Sequence, residues 1–364
     1  MYIHELDTPA VVIDQAKAGE NLIKMQSLAD RRGVALRPHI KTHKSVYWAK
    51  RQIALGAVGI TVAKLSEAET MARHGIQNIY IAYPLVGKVK IARLQKLLET
   101  STGYFRFTVD SECAVDALAE AVTVNDRTLD FMIEVDTGMN RCGVISPEAA
   151  VKLAEYSRQY SKLNLVGIMT HAGHAHNTTD ETVIRDISHR ETRSMIETAD
   201  ALKAAGFGIS VISAGSTITS EDALQVPGLT EIRSGTYIFN DLRTEELHKC
   251  QVSDIAATII ATVVSRPSPD RLVIDAGSKT LTPTRDERYG YGLVPEFPDL
   301  RIVRLSEEHG VCEVSPTNSL KVGDRIEILP VHVCVVMNMC RETYLCDGDR
   351  VLQSIPVEAH LCNK

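Results

Sequence analysis

Residues 58–82 read VGITVAKLSEAETMARHGIQNIYIA. The stretch opens and closes on short runs rich in β-branched residues, VGITV (58–62) and NIYIA (78–82), with helical patterning in AKLSEAETMARHG (63–75) between them. A strand, a helix and a second strand in succession predict two parallel strands joined by a crossover helix. The same rhythm runs through the first two-thirds of the chain. Strand-like runs recur at ALRP (35–38), FRFTV (105–109), FMIEV (131–135), LVGIM (165–169), ISVIS (209–213) and TEIRS (230–234). Helical patterning fills KVKIARLQKLLET (88–100), SPEAAVKLAEYSRQY (146–160) and VIRDISHRETRSMIETADALKAAG (183–206), and DQAKAGENLIKMQSLADRRG (14–33) predicts a helix before the first barrel strand. Alternation of this kind specifies a parallel sheet, and eight units predict closure into a (β/α)8 barrel.

Past about residue 250 the pattern changes. IAATIIATVVSRP, RLVIDAGS, RIVRLSEEHG, DRIEILPVHVCVVMN and TYLCDGDRVLQSIPV read as strands separated by turn residues, which predicts an all-β domain. PAVVID (9–14) has strand composition too and can pair with that domain. The expected organisation is therefore a barrel over residues 14–248 and a β-domain over 249–364 that also takes in 1–13. A chain of 364 residues is long enough for both cores.

Composition excludes several classes of function. The net charge is −6 and no basic run stands out, so nucleic acid and anionic membrane surfaces are not expected partners. No apolar stretch approaches the roughly 20 residues that span a bilayer, and MYIHELDTPA has neither a basic nor an apolar leader region. The eight cysteines are scattered, with no CxxC pair, as expected of reduced thiols in a cytoplasmic protein.

In a (β/α)8 barrel the chemistry sits on the loops that follow the strands. Here those loops include HIKTHK (39–44), DTGMNRCG (136–143), THAGHAH (170–176), SAGSTIT (213–219) and RSGTYIFND (233–241). The last two, rich in Gly, Ser and Thr, offer amides and hydroxyls with little bulk, and barrels commonly build a phosphate site after strands seven and eight. The first belongs to LRPHIKTHKS (36–45), which crowds Arg37, His39, Lys41, His43 and Lys44 together. Such a cluster is either a solvated loop or a device for keeping one lysine neutral and nucleophilic beside an anion. A phosphate site facing a lysine points to pyridoxal phosphate, with Lys41 as the amine and Lys44 as its nearby comparison.

Taken in order, HIKTHK, EVDTGMNRCGV, THAGH, SAGST, IRSGTYIF, EEHG and PVHVCVVMN resemble the fold-type III pyridoxal phosphate enzymes of the D-threonine aldolase and D-serine dehydratase group, which are alanine racemase-like. The resemblance covers nearly the whole chain. It implies that Lys41 forms the Schiff base, that Ser213, Gly215, Ser216, Gly235 and Thr236 cradle the phosphate, that Arg141 lies near the phenolic oxygen, and that Arg233 or His171 serves the pyridine nitrogen. It also implies a divalent metal in the β-domain, with His332 and Cys334 as the matching pair. In a strand those two side chains would point the same way. A thiolate favours zinc, while manganese and magnesium are the other candidates.

The implied activity is a lyase acting on D-3-hydroxy amino acids, first a D-threonine aldolase that releases glycine and an aldehyde. Cys334 supports the alternative of a D-serine or D-3-hydroxyaspartate dehydratase, since the aldolases resemble a His-x-Asp pattern there. His174, His176 and His309 are the candidate bases. A racemase using Tyr289 or Tyr291 ranks third. A non-catalytic cofactor-binding module ranks fourth, because it would not need a β-domain with a metal pair. The resemblance further implies a homodimer.

Overall fold

The computed structural model describes residues 1–123 and 127–364. The chain folds as two compact units, one of residues 25–41, 48–235 and 362–364, the other of residues 1–24, 42–47 and 236–361. The chain thus passes from the first unit to the second directly after Lys41, and again directly after Gly235.

The first unit is the (β/α)8 barrel. Its parallel strands, in chain order, are Ala35–Leu36, Ile60–Val62, Asn78–Pro84, Tyr104–Val109, Leu129–Glu134, Leu163–Met169, Val211–Ala214 and Glu231–Ile232. All eight coincide with the runs that the sequence marks. Each pairs with its neighbour, and the eighth pairs with the first. The ring closes between the first and second through Val58 N–H to Leu36 O at 3.0 Å and Thr61 N–H to Pro38 O at 2.8 Å. Local chemistry starts the outer helices. Ser111 accepts from the Ala114 amide, and Ser146 accepts from the Ala149 amide with Pro147 in the first turn.

A barrel interior is ordinarily filled by branched apolar side chains. Here Tyr80, Met132 and Met169 share it with charge: Glu231, 3% exposed, accepts from Arg37 Nε at 2.7 Å and from Arg106 Nη1 at 3.3 Å. Burial alone would raise the Glu231 pKa, but the two guanidinium groups outweigh it and hold the carboxyl below the usual carboxylate range.

The second unit is built on a mostly antiparallel sheet. Its path runs Arg301–Leu305, Gly310–Glu313, Arg271–Ile274, Ala257–Ser268, Ala10–Asp14, Glu342–Asp347 and Arg350–Pro356, and Arg325–Ile328 also pairs with Ala257–Ser268. Ala10–Asp14 joins this sheet, as its composition suggests, antiparallel to Ala257–Ser268 and parallel to Glu342–Asp347. One expected strand is corrected. Within DRIEILPVHVCVVMN only Arg325–Ile328 is strand, and Val333–Met339 is a helix. Pro330 lacks the N–H that a continued ladder needs, and the Val333 amide is taken instead by a carboxylate oxygen of Asp241 at 3.0 Å.

Candidate active site

The cationic cluster of LRPHIKTHKS disperses once folded. Arg37 enters the barrel interior, with Nη1 donating to Asn78 Oδ1 at 2.7 Å. His39 Nδ1 accepts from the Lys41 amide at 3.3 Å, and His43 Nδ1 accepts from the Ser45 amide at 3.1 Å. Lys44 is buried, and its Nζ donates to Asn338 Oδ1 at 2.6 Å. Lys41 alone of the three side chains from Lys41 to His43 is exposed, on the short 3-10 turn Ile40–Thr42 at the end of the first barrel strand. The crowding is therefore a property of the sequence, and the fold singles out one lysine.

The loop after the fifth strand is organised by Asp136, whose Oδ1 accepts from the Gly138 amide at 2.8 Å and the Asn140 amide at 3.1 Å. Gly143 closes it with φ +108°, where an added Cβ would lie 2.7 Å from the Asp136 nitrogen. Arg141 comes within 3.5 Å of Glu134, a buried carboxylate at the end of the strand. Burial raises the Glu134 pKa more than Arg141 and Arg233 lower it.

His171 lies where Lys41, Arg141, Arg233 and His176 all act on it. Burial first, and then those positive charges, hold its pKa well below the ordinary imidazole value. The structure thus brings together, in one unit, five residues that the sequence selects from four separate loops. His174, on the turn Gly173–Asn177, has its Nδ1 buried without a hydrogen-bond partner, and burial lowers its pKa too. A depressed folded value has a consequence for stability. The unfolded chain protonates His171 near pH 6.5 while the folded chain does not, so this contribution is intact above that pH and is lost as the pH falls. The melting temperature of the cofactor-free protein is expected to drop between about pH 6.5 and 5 more steeply than that of His171→Gln. Parallel curves would refute it.

Arg233 is buried and fixed, with Nη1 donating to Ser213 Oγ at 2.5 Å and Nη2 donating to Thr170 O. Ser213 in turn donates to Glu231 at 2.8 Å, so its hydroxyl supports Arg233 inside the barrel and is not on the rim. Gly215 requires glycine: its φ is +79°, and a Cβ would lie 2.7 Å from Ser220 Oγ. The Ser216 amide donates to Thr219 Oγ1 at 3.0 Å and the Gly235 amide to Thr217 Oγ1 at 3.3 Å. Both acceptors are hydroxyls, which rotate and can yield these amides to a phosphate. An exposed lysine, a fixed Arg233, Arg141 beside Glu134, and a glycine-containing loop with releasable amides fit pyridoxal phosphate.

Sequence reasoning passed over Glu191. It is fully buried, and its Oε1 accepts from the amides of Ala172 at 3.1 Å and Gly215 at 3.4 Å, tying the two loops together. A signal existed. On the helix Glu181–Ala204 the buried stripe runs Ile184, Ile187, Ser188, Glu191, Thr192, Met195, and a carboxylate in such a stripe needs partners.

In the second unit His332 caps the helix Val333–Met339 and Cys334 sits in its first turn. The expected strand geometry is absent, yet the imidazole and thiol still meet. Burial opposes ionisation of Cys334, but the hydrogen bond and charge of His332, with the Thr42 hydroxyl 3.3 Å away, hold the thiol below its ordinary pKa. Thr236 Oγ1, placed by sequence in the phosphate cradle, lies 3.7 Å from the same sulfur. Among the described residues no third His, Cys, Asp or Glu completes a cluster. An imidazole beside a readily ionised thiol is a borderline-soft pair that fits zinc with two positions left open. His309 is exposed in the hairpin turn between Arg301–Leu305 and Gly310–Glu313. Arg288, in the loop carrying Tyr289 and Tyr291, is held by Glu245 at 2.9 Å and Asp286 at 3.1 Å.

Residues 13–242 match the family described as alanine racemase, N-terminal domain, and residues 256–346 match a serine dehydratase domain. The chain is 32% identical to a D-threo-3-hydroxyaspartate dehydratase of Delftia sp. (strain HT23), covering 90% of this chain and 91% of that one. It is 32% identical to a D-threonine aldolase of Arthrobacter sp., covering 92% and 87%. The crystal structure of D-threonine aldolase from Filomicrobium marinum superposes with a TM-score of 0.90 at 30% identity, covering 99% of this chain and 98% of that one. With barrel, lysine, arginines and glycine loop in place, the chain belongs to the alanine racemase N-terminal domain family, among the fold-type III pyridoxal phosphate enzymes of the D-threonine aldolase and D-serine dehydratase group.

Proposed function

We propose that the protein is a pyridoxal phosphate- and divalent metal-dependent lyase of D-3-hydroxy amino acids, and that its main outcome is β-elimination to a 2-oxo acid and ammonia. The observation that carries this outcome is the contact between His332 and Cys334. Solved forms of the Delftia dehydratase include a histidine-to-alanine variant and, for a cysteine two positions on, an alanine variant in the metal-free form. The spacing is that of His332 and Cys334.

Pyridoxal phosphate, when bound, supplies an electron sink for the charge that develops at the substrate Cα. Lys41 would hold the cofactor through Nζ, and as a free amine it would be the group that takes the Cα proton. Arg233, immobilised by Ser213 and Thr170, would present a fixed positive charge to the ring, and Arg141 would supply one near the phenolic oxygen. His171 stays neutral, so it can hydrogen-bond without adding to that charge. The amides of Ser216 and Gly235 and the Thr236 hydroxyl would receive the phosphate. His332 and Cys334 would hold zinc or manganese, which supplies a Lewis acid for the departing hydroxyl.

Retro-aldol cleavage of D-threonine is the second reading, supported by the equally similar Arthrobacter aldolase. In that route the proton leaves the hydroxyl, and His174 or His176 is the acceptor from the barrel. A homodimer follows from the same family resemblance, and the scattered free cysteines fit a reducing, cytoplasmic setting.

The test is product identity. The protein, loaded with cofactor and with zinc or manganese, is given D-threonine and D-threo-3-hydroxyaspartate separately. Ammonia with a 2-oxo acid, lost on chelation, is the expected result. Glycine with an aldehyde would replace elimination by retro-aldol cleavage, and neither product from either substrate would refute the lyase.

A further inference from the structure

The cap on the metal pair is supplied from outside its own helix. His332, the N-cap of Val333–Met339, makes no capping hydrogen bond with its side chain, so the first amide of that helix depends on a distant acceptor. The acceptor is Asp241, 92 positions away in sequence and 1% exposed. Its two oxygens divide the work. Oδ1 caps its own short helix Leu242–Glu246, accepting from the Thr244 amide at 2.9 Å and the Thr244 hydroxyl at 2.7 Å. Oδ2 accepts from the amide of Val333, the residue between the two ligands, at 3.0 Å. An ordinary cap needs only the first set. The flanking backbones are joined as well, by Leu242 N–H to Pro330 O at 3.0 Å and Arg243 N–H to Val331 O at 3.3 Å.

From this geometry we propose that Asp241 is a positioning residue for the metal: by clamping the Val333 amide it fixes the peptide between His332 and Cys334, and with it the angle at which imidazole and thiolate meet an ion. The inference rests on the metal-dependent reading above. The physical reason is leverage. With only two protein ligands, the spacing of the pair determines the whole protein contribution to affinity, and the 332–333 peptide is the hinge between them. Groups that orient metal ligands in this way typically account for 10- to 100-fold in affinity.

The experiment titrates zinc into the cofactor-loaded protein against a chromophoric chelator and records the cobalt(II)-thiolate charge-transfer band. Asp241→Ala is expected to bind zinc about 10- to 100-fold more weakly and to shift or lose the cobalt band, while the Lys41 cofactor absorbance stays unchanged. Asp241→Asn, whose single amide oxygen can still accept from Val333 while its NH2 donates to the Thr244 hydroxyl and the Thr244 amide loses its acceptor, is expected to recover most of the zinc affinity. Val333→Pro deletes the donor and leaves Asp241 in place. Proline is well tolerated at a first helical position, so this variant carries the test if Asp241→Ala does not fold. Wild-type affinity and an unshifted band in Asp241→Ala or Val333→Pro would overturn the proposal with the metal reading intact. Absence of zinc binding in the wild type would overturn both.

Discussion

Lys41→Ala is expected to lose the visible Schiff-base absorbance and at least about 10²- to 10⁴-fold in kcat, while Lys44→Ala keeps the absorbance. The two residues are three positions apart in a stretch of alternating cations, and on charge and spacing alone either could serve. The fold separates them. Lys41 is exposed on the 3-10 turn that ends the first barrel strand, whereas Lys44 is buried with its ammonium 2.6 Å from Asn338 Oδ1. Removing Lys44 deprives that half-buried amide oxygen of its partner, a cost of about 1 kcal/mol in stability with no direct effect on the cofactor. Phosphate binding needs no lysine, so Lys41→Ala should still take up the cofactor non-covalently. Spectra of the two variants after cofactor loading decide the matter, and loss of the absorbance in Lys44→Ala alone would reverse the assignment.

The contrast also shows what the sequence can convey. The eight strands were legible because each is a local event: a β-branched run, then a helical period, then another run. LRPHIKTHKS was legible as a site through its residue types, but the direction of each side chain was not, because Asn338 and Glu231 are far away in the chain. VHVCVVM failed for a related reason. Its β-branched residues favour a strand, and what makes it a helix is a missing N–H at Pro330 together with the distant Asp241 carboxylate. The Glu191 contact was partly legible, since a carboxylate stands out on an apolar stripe. Glu231 gave no such signal in TEIRS.

Glu231→Gln is expected to cost the barrel about 3–5 kcal/mol, the range for leaving one side of a buried ion pair uncompensated. The side chain keeps its shape, so the loss isolates charge. Arg37 and Arg106 would both remain in a barrel interior where neither can reach water, and only one amide oxygen would be left to accept from Arg37, Arg106 and the Ser213 hydroxyl together. Against a typical total of about 5–15 kcal/mol, that is a large fraction of the stability. The chain has one tryptophan, Trp48, buried in the barrel unit, so its fluorescence in urea follows this unit and not the other. The acid side carries an independent check. The folded Glu231 pKa lies below the unfolded one, so its stabilisation is complete above the ordinary glutamate value of about 4.3 and disappears as the pH falls through the folded value. The gap between wild type and Glu231→Gln should therefore narrow in acid. A gap that is small at pH 7, or that stays constant into acid, would show that the two arginines find other partners.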